Sequence, residues 1–105
     1  MTLSIKPGVD LSELDLRMAD AIPAIARVFG AFGYRATITS ARDGKHMTGS
    51  LHYQGKALDW RTWADDQGTQ IRDGIKKQIC AEIQRDCPWI QAIPEKTHIH
   101  TECDQ

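Results

Sequence analysis

Apolar residues recur along the first third of the chain at steps of three and four: Leu14, Met18, Ile22, Ile25, Phe29 and Phe32. That spacing lays one apolar stripe along a helix of about five turns, with Ser12 as its N-cap and Gly33 as its C-cap. Pro23 has no amide to donate one turn back, so it is expected to kink or divide this helix. Arg35 to Ser40 alternates as a strand does, and Ala41 to Ser50 is rich in turn formers and reads as a loop. Gln54-Gly55 marks a turn before a second strand, Lys56 to Arg61. Its alternation sends Ala57, Asp59 and Arg61 to one face and Leu58 and Trp60 to the other. Ile71, Ile75, Ile79 and Ile83 fall at every fourth position and predict a second amphipathic helix from about Thr69 to Asp86, with Pro88 beyond its end. Trp89 to Ile93 and Thr97 to Cys103 then read as short strands joined by a turn around Pro94 and Glu95. The order helix, strand, strand, helix, strand, strand predicts an α+β fold, a small and mainly antiparallel sheet with two amphipathic helices.

A length of 105 residues suits a single domain with one modest core. Thirteen Lys and Arg against fourteen Asp and Glu leave no basic block to track a phosphate backbone, so nucleic acid is not an expected partner. No apolar run approaches the roughly 20 residues that a membrane span needs, and no membrane partner is expected. Met1 to Gly8 carries no secretory signal, which places the chain in the cytoplasm as synthesised. Cys80, Cys87 and Cys103 show no CxxC spacing and are expected to be buried thiols rather than a disulfide framework or zinc ribbon. Trp60, Trp63, Trp89 and Tyr53 are expected mostly in the core, although Tyr53 could also line a cleft.

The histidines change this picture. Three of the four, His52, His98 and His100, fall in the loop-to-strand segment and the last strand. Residues two apart on a strand share a side, so His98 and His100 project together, opposite Ile99 and Cys103, and make a geometrically competent metal clamp. The ordinary alternative is a pair of polar residues on a solvent face beside Thr97 and Glu102. His52 and Asp59 would converge with the clamp if the chain turns at Gly55 and re-enters the sheet. Imidazoles and one carboxylate suit zinc. Three protein ligands with a vacant fourth position mark a catalytic site, whereas ligation by both His98 and His100 would close it and favour a structural role.

Ser50-Leu51-His52-Tyr53-Gln54-Gly55-Lys56-Ala57-Leu58-Asp59 resembles the Ser-x-His-x-x-Gly-x-Ala-x-Asp signature of the D-alanyl-D-alanine carboxypeptidase and murein endopeptidase family, and His98-Ile99-His100 resembles its second motif. Asp43-Gly44-Lys45-His46, Ser50-Leu51-His52-Tyr53 and His98-Ile99-His100 are also similar to the hedgehog signalling domain, which shares that fold and zinc site. The likeness runs from about Thr37 to Cys103 and is specific at the motifs.

The resemblance implies zinc (Zn2+) held by His52, Asp59 and His100, with His98 as a catalytic histidine beside it. Glu95 stands where related enzymes place a histidine or a glutamate, so the general base is either Glu95 or His98. Arg42 matches an arginine of the family only loosely in spacing and is a candidate to bind a substrate carboxylate. His46 is a candidate cleft residue. The implied partner is a peptidoglycan stem peptide cut by carboxypeptidase or endopeptidase action, compatible with a phage lysis protein. The alternative is a hedgehog-like zinc module that binds a partner without hydrolysis. Hedgehog domains also bind calcium beside the zinc, but here the matching loop offers only Asp43, and no calcium site is expected.

Overall fold

In β3 (Ala57–Arg61) and β5 (His98–Glu102) the pleat divides the side chains, except that Ala57, at the start of β3 on the outer face, is also buried: Leu58, Trp60, Ile99 and Thr101 are buried, while Asp59, Arg61, His98, His100 and Glu102 stay partly exposed. The computed structural model describes residues 3–44, 49–63 and 68–103, and within them β3 and β5 lie at the middle of a five-stranded sheet ordered β1-β2-β3-β5-β4. The other strands are β1 (Leu3–Ile5), β2 (Ala36–Ser40) and β4 (Gln91–Pro94). All neighbours are antiparallel except the β1–β2 pair, which gives the expected α+β fold. The sequence pattern did not reveal β1, because three residues are too few for an alternation to register.

Two helices, α1 (Leu16–Ala31) and α2 (Asp73–Asp86), supply much of the rest of the core. From α1 come Met18, Ile25 and Phe29, and from α2 Ile79 and Ile83, all with no exposed surface. Phe29 stacks on Trp60 with centroids 5.9 Å apart. Trp60 Nε1 donates to Thr101 Oγ1 at 3.0 Å and that hydroxyl donates to the Leu58 carbonyl at 2.9 Å, so the polar groups buried in this layer are satisfied. The two faces of the sheet therefore have separate uses.

Several expectations shift by local chemistry. Asp15, not Ser12, caps α1, accepting the Arg17 amide at 2.8 Å. The preceding chain turns at Glu13 (φ 54°), and the Asp15 amide is tied to the Gly55 carbonyl at 2.9 Å. Gly33 does end the helix: at φ 85° it lets its own amide reach the Gly30 carbonyl and the Tyr34 amide reach that of Phe29, a Schellman closure. Pro23 neither divides nor ends α1. It sits on the exposed side, where water can satisfy the carbonyl its missing amide leaves open. Helix α2 starts at Asp73 rather than near Thr69; Ile71 is buried ahead of it, with its amide on the Thr62 carbonyl at 2.7 Å.

Trp60 is fully buried, but Tyr53, Trp63 and Trp89 are exposed, contrary to the expected core. Trp63 lies beneath Arg61, and the Trp89 indole donates to the Arg17 carbonyl. The three cysteines are buried free thiols, as expected. Among the described residues no helix is long and apolar enough to cross a membrane.

Candidate metal centre

The outer face of β3 and β5 carries the chemistry. In the antiparallel register Asp59 stands opposite His100 and Arg61 opposite His98, so four functional side chains form a block two residues deep on one face. His52 joins them from outside the sheet. Ser50 Oγ accepts the His52 amide at 3.2 Å and starts a short 3-10 turn, Leu51–Gln54. Gly55, at φ 71°, then reverses the chain into β3. A Cβ at Gly55 would strike the Glu13 carbonyl, so both its left-handed backbone and its lack of a side chain are used.

His52 is buried, and its Nδ1 lies 2.8 Å from the Ala41 carbonyl. A carbonyl can only accept, so Nδ1 carries a hydrogen and Nε2 is the nitrogen left to ligate, 3.3 Å from Asp59 Oδ1. His100 is arranged the other way round. Its Nδ1 lies 3.0 Å from Asp59 Oδ1 and its Nε2 3.0 Å from Glu102 Oε1. Each imidazole thus has one nitrogen held by an outer partner and the other turned to Asp59, the arrangement that orients metal-bound histidines.

One atom from each of His52, Asp59 and His100 lies within 4.8 Å of the others, and this group can hold a metal ion. Bonds of about 2.0–2.2 Å in a tetrahedral zinc site put ligand atoms roughly 3.3–3.6 Å apart. The 3.0 and 3.3 Å separations from Asp59 to the two imidazoles need only small adjustments to match. His98 Nε2 is farther out, 3.8 Å from Asp59 Oδ1.

Burial by itself would raise the Asp59 carboxyl, but hydrogen bonds from His100 and His52, with the charges of His52 and His98, hold it well below the usual carboxylate range. The hydrogen bond to Asp59 raises His100 above the ordinary imidazole value; burial opposes this, and Asp59 and Glu102 add to it electrostatically. The group that could hold a metal ion therefore contains an ionised carboxylate among imidazoles.

Beside it opens a cleft of about 450 Å³, lined among the described residues by Asp59, Arg61, His98, Thr39, Thr97, Lys6, Trp63 and Gln70. Glu95 is exposed at the β4–β5 turn and borders a different hollow, with Asp73, Lys77, Pro94 and Lys96. That turn is pinned by Lys76 of α2, which is buried and donates from Nζ to the Glu95 and Lys96 carbonyls at 3.2 and 3.0 Å. The Arg42 guanidinium is taken up by Glu13 at 2.7 Å, and Arg42 is not among the described residues that line the cleft. Asp43 Oδ1 accepts the Asp10 and Ala41 amides, each at 2.9 Å, and so braces the loop whose Ala41 carbonyl orients His52. His46 lies outside the described residues.

Two participants escaped the sequence reading. Glu102, read only as part of a solvent face, is the outer partner of His100, and its signal was its place two residues along the same strand face. Arg61, assigned to the Asp59 face without a role, lines the cleft. No family model matches this chain, and no solved structure matches it significantly.

Proposed function

We propose that this chain is a zinc peptidase that hydrolyses peptide bonds in bacterial peptidoglycan stem peptides, as its motif resemblance to the D-alanyl-D-alanine carboxypeptidases and murein endopeptidases implies. The observation that supports it is the convergence of His52, Asp59 and His100 at the edge of a cleft that also receives His98. Two imidazoles and one carboxylate are a donor set for zinc; calcium and magnesium want more oxygen. A zinc ion bound by these residues would supply Lewis acidity, polarising a carbonyl and lowering the pKa of water to about 7. The residues of the chain do the remainder. Ala41 and Glu102 hold the two ligating rings. His98, in the cleft but farther from Asp59 than either ligand, moves the proton from water to the leaving amine. Arg42, paired with Glu13, and Glu95, on the other hollow, are given no part in this reading.

The rival is a hedgehog-like zinc module that binds a partner without hydrolysis. With Glu95 on another hollow, His98 alone of the two candidate bases borders the cleft, and its failure to act would leave that rival. Purified protein loaded with zinc and incubated with peptidoglycan should release stem-peptide fragments identifiable by mass spectrometry, and a chelator-stripped control should release none. Protein that holds one zinc per chain and releases no fragment would leave the rival.

A further inference from the structure

Among the described residues Arg61 is a cation with no anion. It lines the cleft beside the metal centre, its Nε is buried without a hydrogen-bond partner, and among the described residues no carboxylate pairs with it. Its guanidinium carbon sits 4.5 Å from the centre of the Trp63 ring, which fixes the plane of the group at little further loss of side-chain freedom on binding. Lys6 lines the same cleft. The only carboxylate among the described lining residues is Asp59, which is already engaged by His52 and His100.

We infer that Arg61, assisted by Lys6, binds the C-terminal carboxylate of the peptide being cut, so that the enzyme is a carboxypeptidase removing one terminal residue. This rests on the peptidase reading and narrows it. The spacing fits. Arg61 and Asp59 are two residues apart on one face of β3, about 6.5–7 Å along the strand. The carbonyl carbon of a scissile bond and the carboxylate carbon of the one residue beyond it are separated by about one residue's length, at most ~3.8 Å, and the arginine side chain spans the rest. Binding there places the last peptide carbonyl, and no other, at the metal-binding residues. Hydrolysis breaks that C–N bond, adds the hydroxyl of one water to the acyl carbon and delivers its proton to the departing amine, giving a shortened peptide acid and a free amino acid.

The test compares N-acetyl-D-alanyl-D-alanine with its C-terminal amide on the zinc-loaded protein. Wild type should prefer the acid in kcat/KM by roughly 10–100-fold, the range expected for one charge-assisted bidentate contact. In R61Q that ratio should fall to near one, and R61K, which keeps the charge but loses the planar fork, should lie between. Zinc content and melting temperature of each variant establish that it is folded and loaded. Equal cleavage of acid and amide by wild type, or loss of both in proportion by R61Q, would overturn the assignment.

A second readout needs no turnover. In metal-free protein the acid but not the amide should shift the Trp63 indole N–H resonance, and R61Q should abolish the shift. If zinc-loaded wild type cuts neither peptide nor peptidoglycan, the peptidase reading fails, while the acid-selective Trp63 shift still decides whether the carboxylate site exists. A shift given equally by acetyl-D-glutamate α-amide, which has only a side-chain carboxylate, would refute a terminal-carboxylate site.

Discussion

His100 Nε2 and Glu102 Oε1 lie 3.0 Å apart on neighbouring positions of one strand face, so the ring that turns Nδ1 to Asp59 is held from behind by a carboxylate. Replacing Glu102 by Gln keeps an acceptor and should change little; Glu102→Ala removes the hold and should weaken zinc binding by roughly 10–100-fold. Competition with a chromogenic chelator measures it. An unchanged affinity in Glu102→Ala would mean that the sheet alone fixes the ring.

The two histidines of β5 should fail in different ways. His100→Ala loses a ligand and should no longer hold stoichiometric zinc after dialysis. His98→Ala should keep the metal and slow peptide cleavage by roughly 10²–10⁴-fold if it transfers the proton. Loss of zinc from both variants alike would indicate a closed, four-ligand site.

Metal binding should be acid-sensitive. With Nδ1 against Asp59 and Nε2 against Glu102, the raised His100 of the metal-free protein carries a proton that a cation on Nδ1 must displace, so affinity should fall about tenfold per pH unit below that value. The stability signs are opposite for the two partners. The raised His100 stabilises the metal-free fold fully below the unfolded value of 6.5, an effect lost as pH rises through the folded value. The lowered Asp59 stabilises it above 3.8, an effect lost as pH falls through the folded value. The melting temperature of metal-free protein should therefore peak between these limits, and the gain on adding zinc should widen toward alkaline pH. A gain independent of pH between 5 and 8 would contradict the proton exchange (an interval of roughly the range in which histidine titrates).

Gly55→Ala should destabilise the fold by at least about 2 kcal/mol, because a side chain there meets left-handed strain and the Glu13 backbone together. Since Gly55 aims His52, zinc affinity should drop as well. Urea unfolding and the chelator assay read the two effects. A near-neutral variant would show that the segment ahead of α1 yields easily.

Lys76→Met leaves the Glu95 and Lys96 carbonyls without their buried donor, at a cost of roughly 1–3 kcal/mol. Hydrogen exchange should accelerate first at the β4–β5 turn. If the turn keeps its protection, its own closure, the Glu95 amide on the His98 carbonyl at 2.8 Å, suffices.

The strands and helices were legible where periodicity was long, as in the Met18–Ile25–Phe29 stripe, and illegible where a single tertiary contact decides, as at the start of α1. Asp15 caps because Gly55 holds its amide, and no local pattern contains that. At the site, alternation alone puts His98 with His100 and Asp59 with Arg61, but it cannot say that the two pairs face each other; that is a matter of strand pairing across about forty residues (His100 and Asp59 are 41 apart). Arg42 was a candidate to bind a substrate carboxylate and Arg61 had no assigned role; no local pattern shows that Glu13 pairs with Arg42 or that Trp63 lies under Arg61.

The pairing of β3 with β5 has a consequence for how the chain finds its fold. A slip of one residue between the two strands would turn Ile99 outward and His100 into the helices, separating His100 from Asp59 in the same movement. A cation gripped by both is therefore bound only by the correctly aligned pair and discriminates against every misaligned one. It also cross-links two points far apart in the chain, much as a disulfide would, in a protein whose own cysteines are buried singly. Refolding in the presence of zinc should then proceed with fewer slowly correcting species than refolding without it.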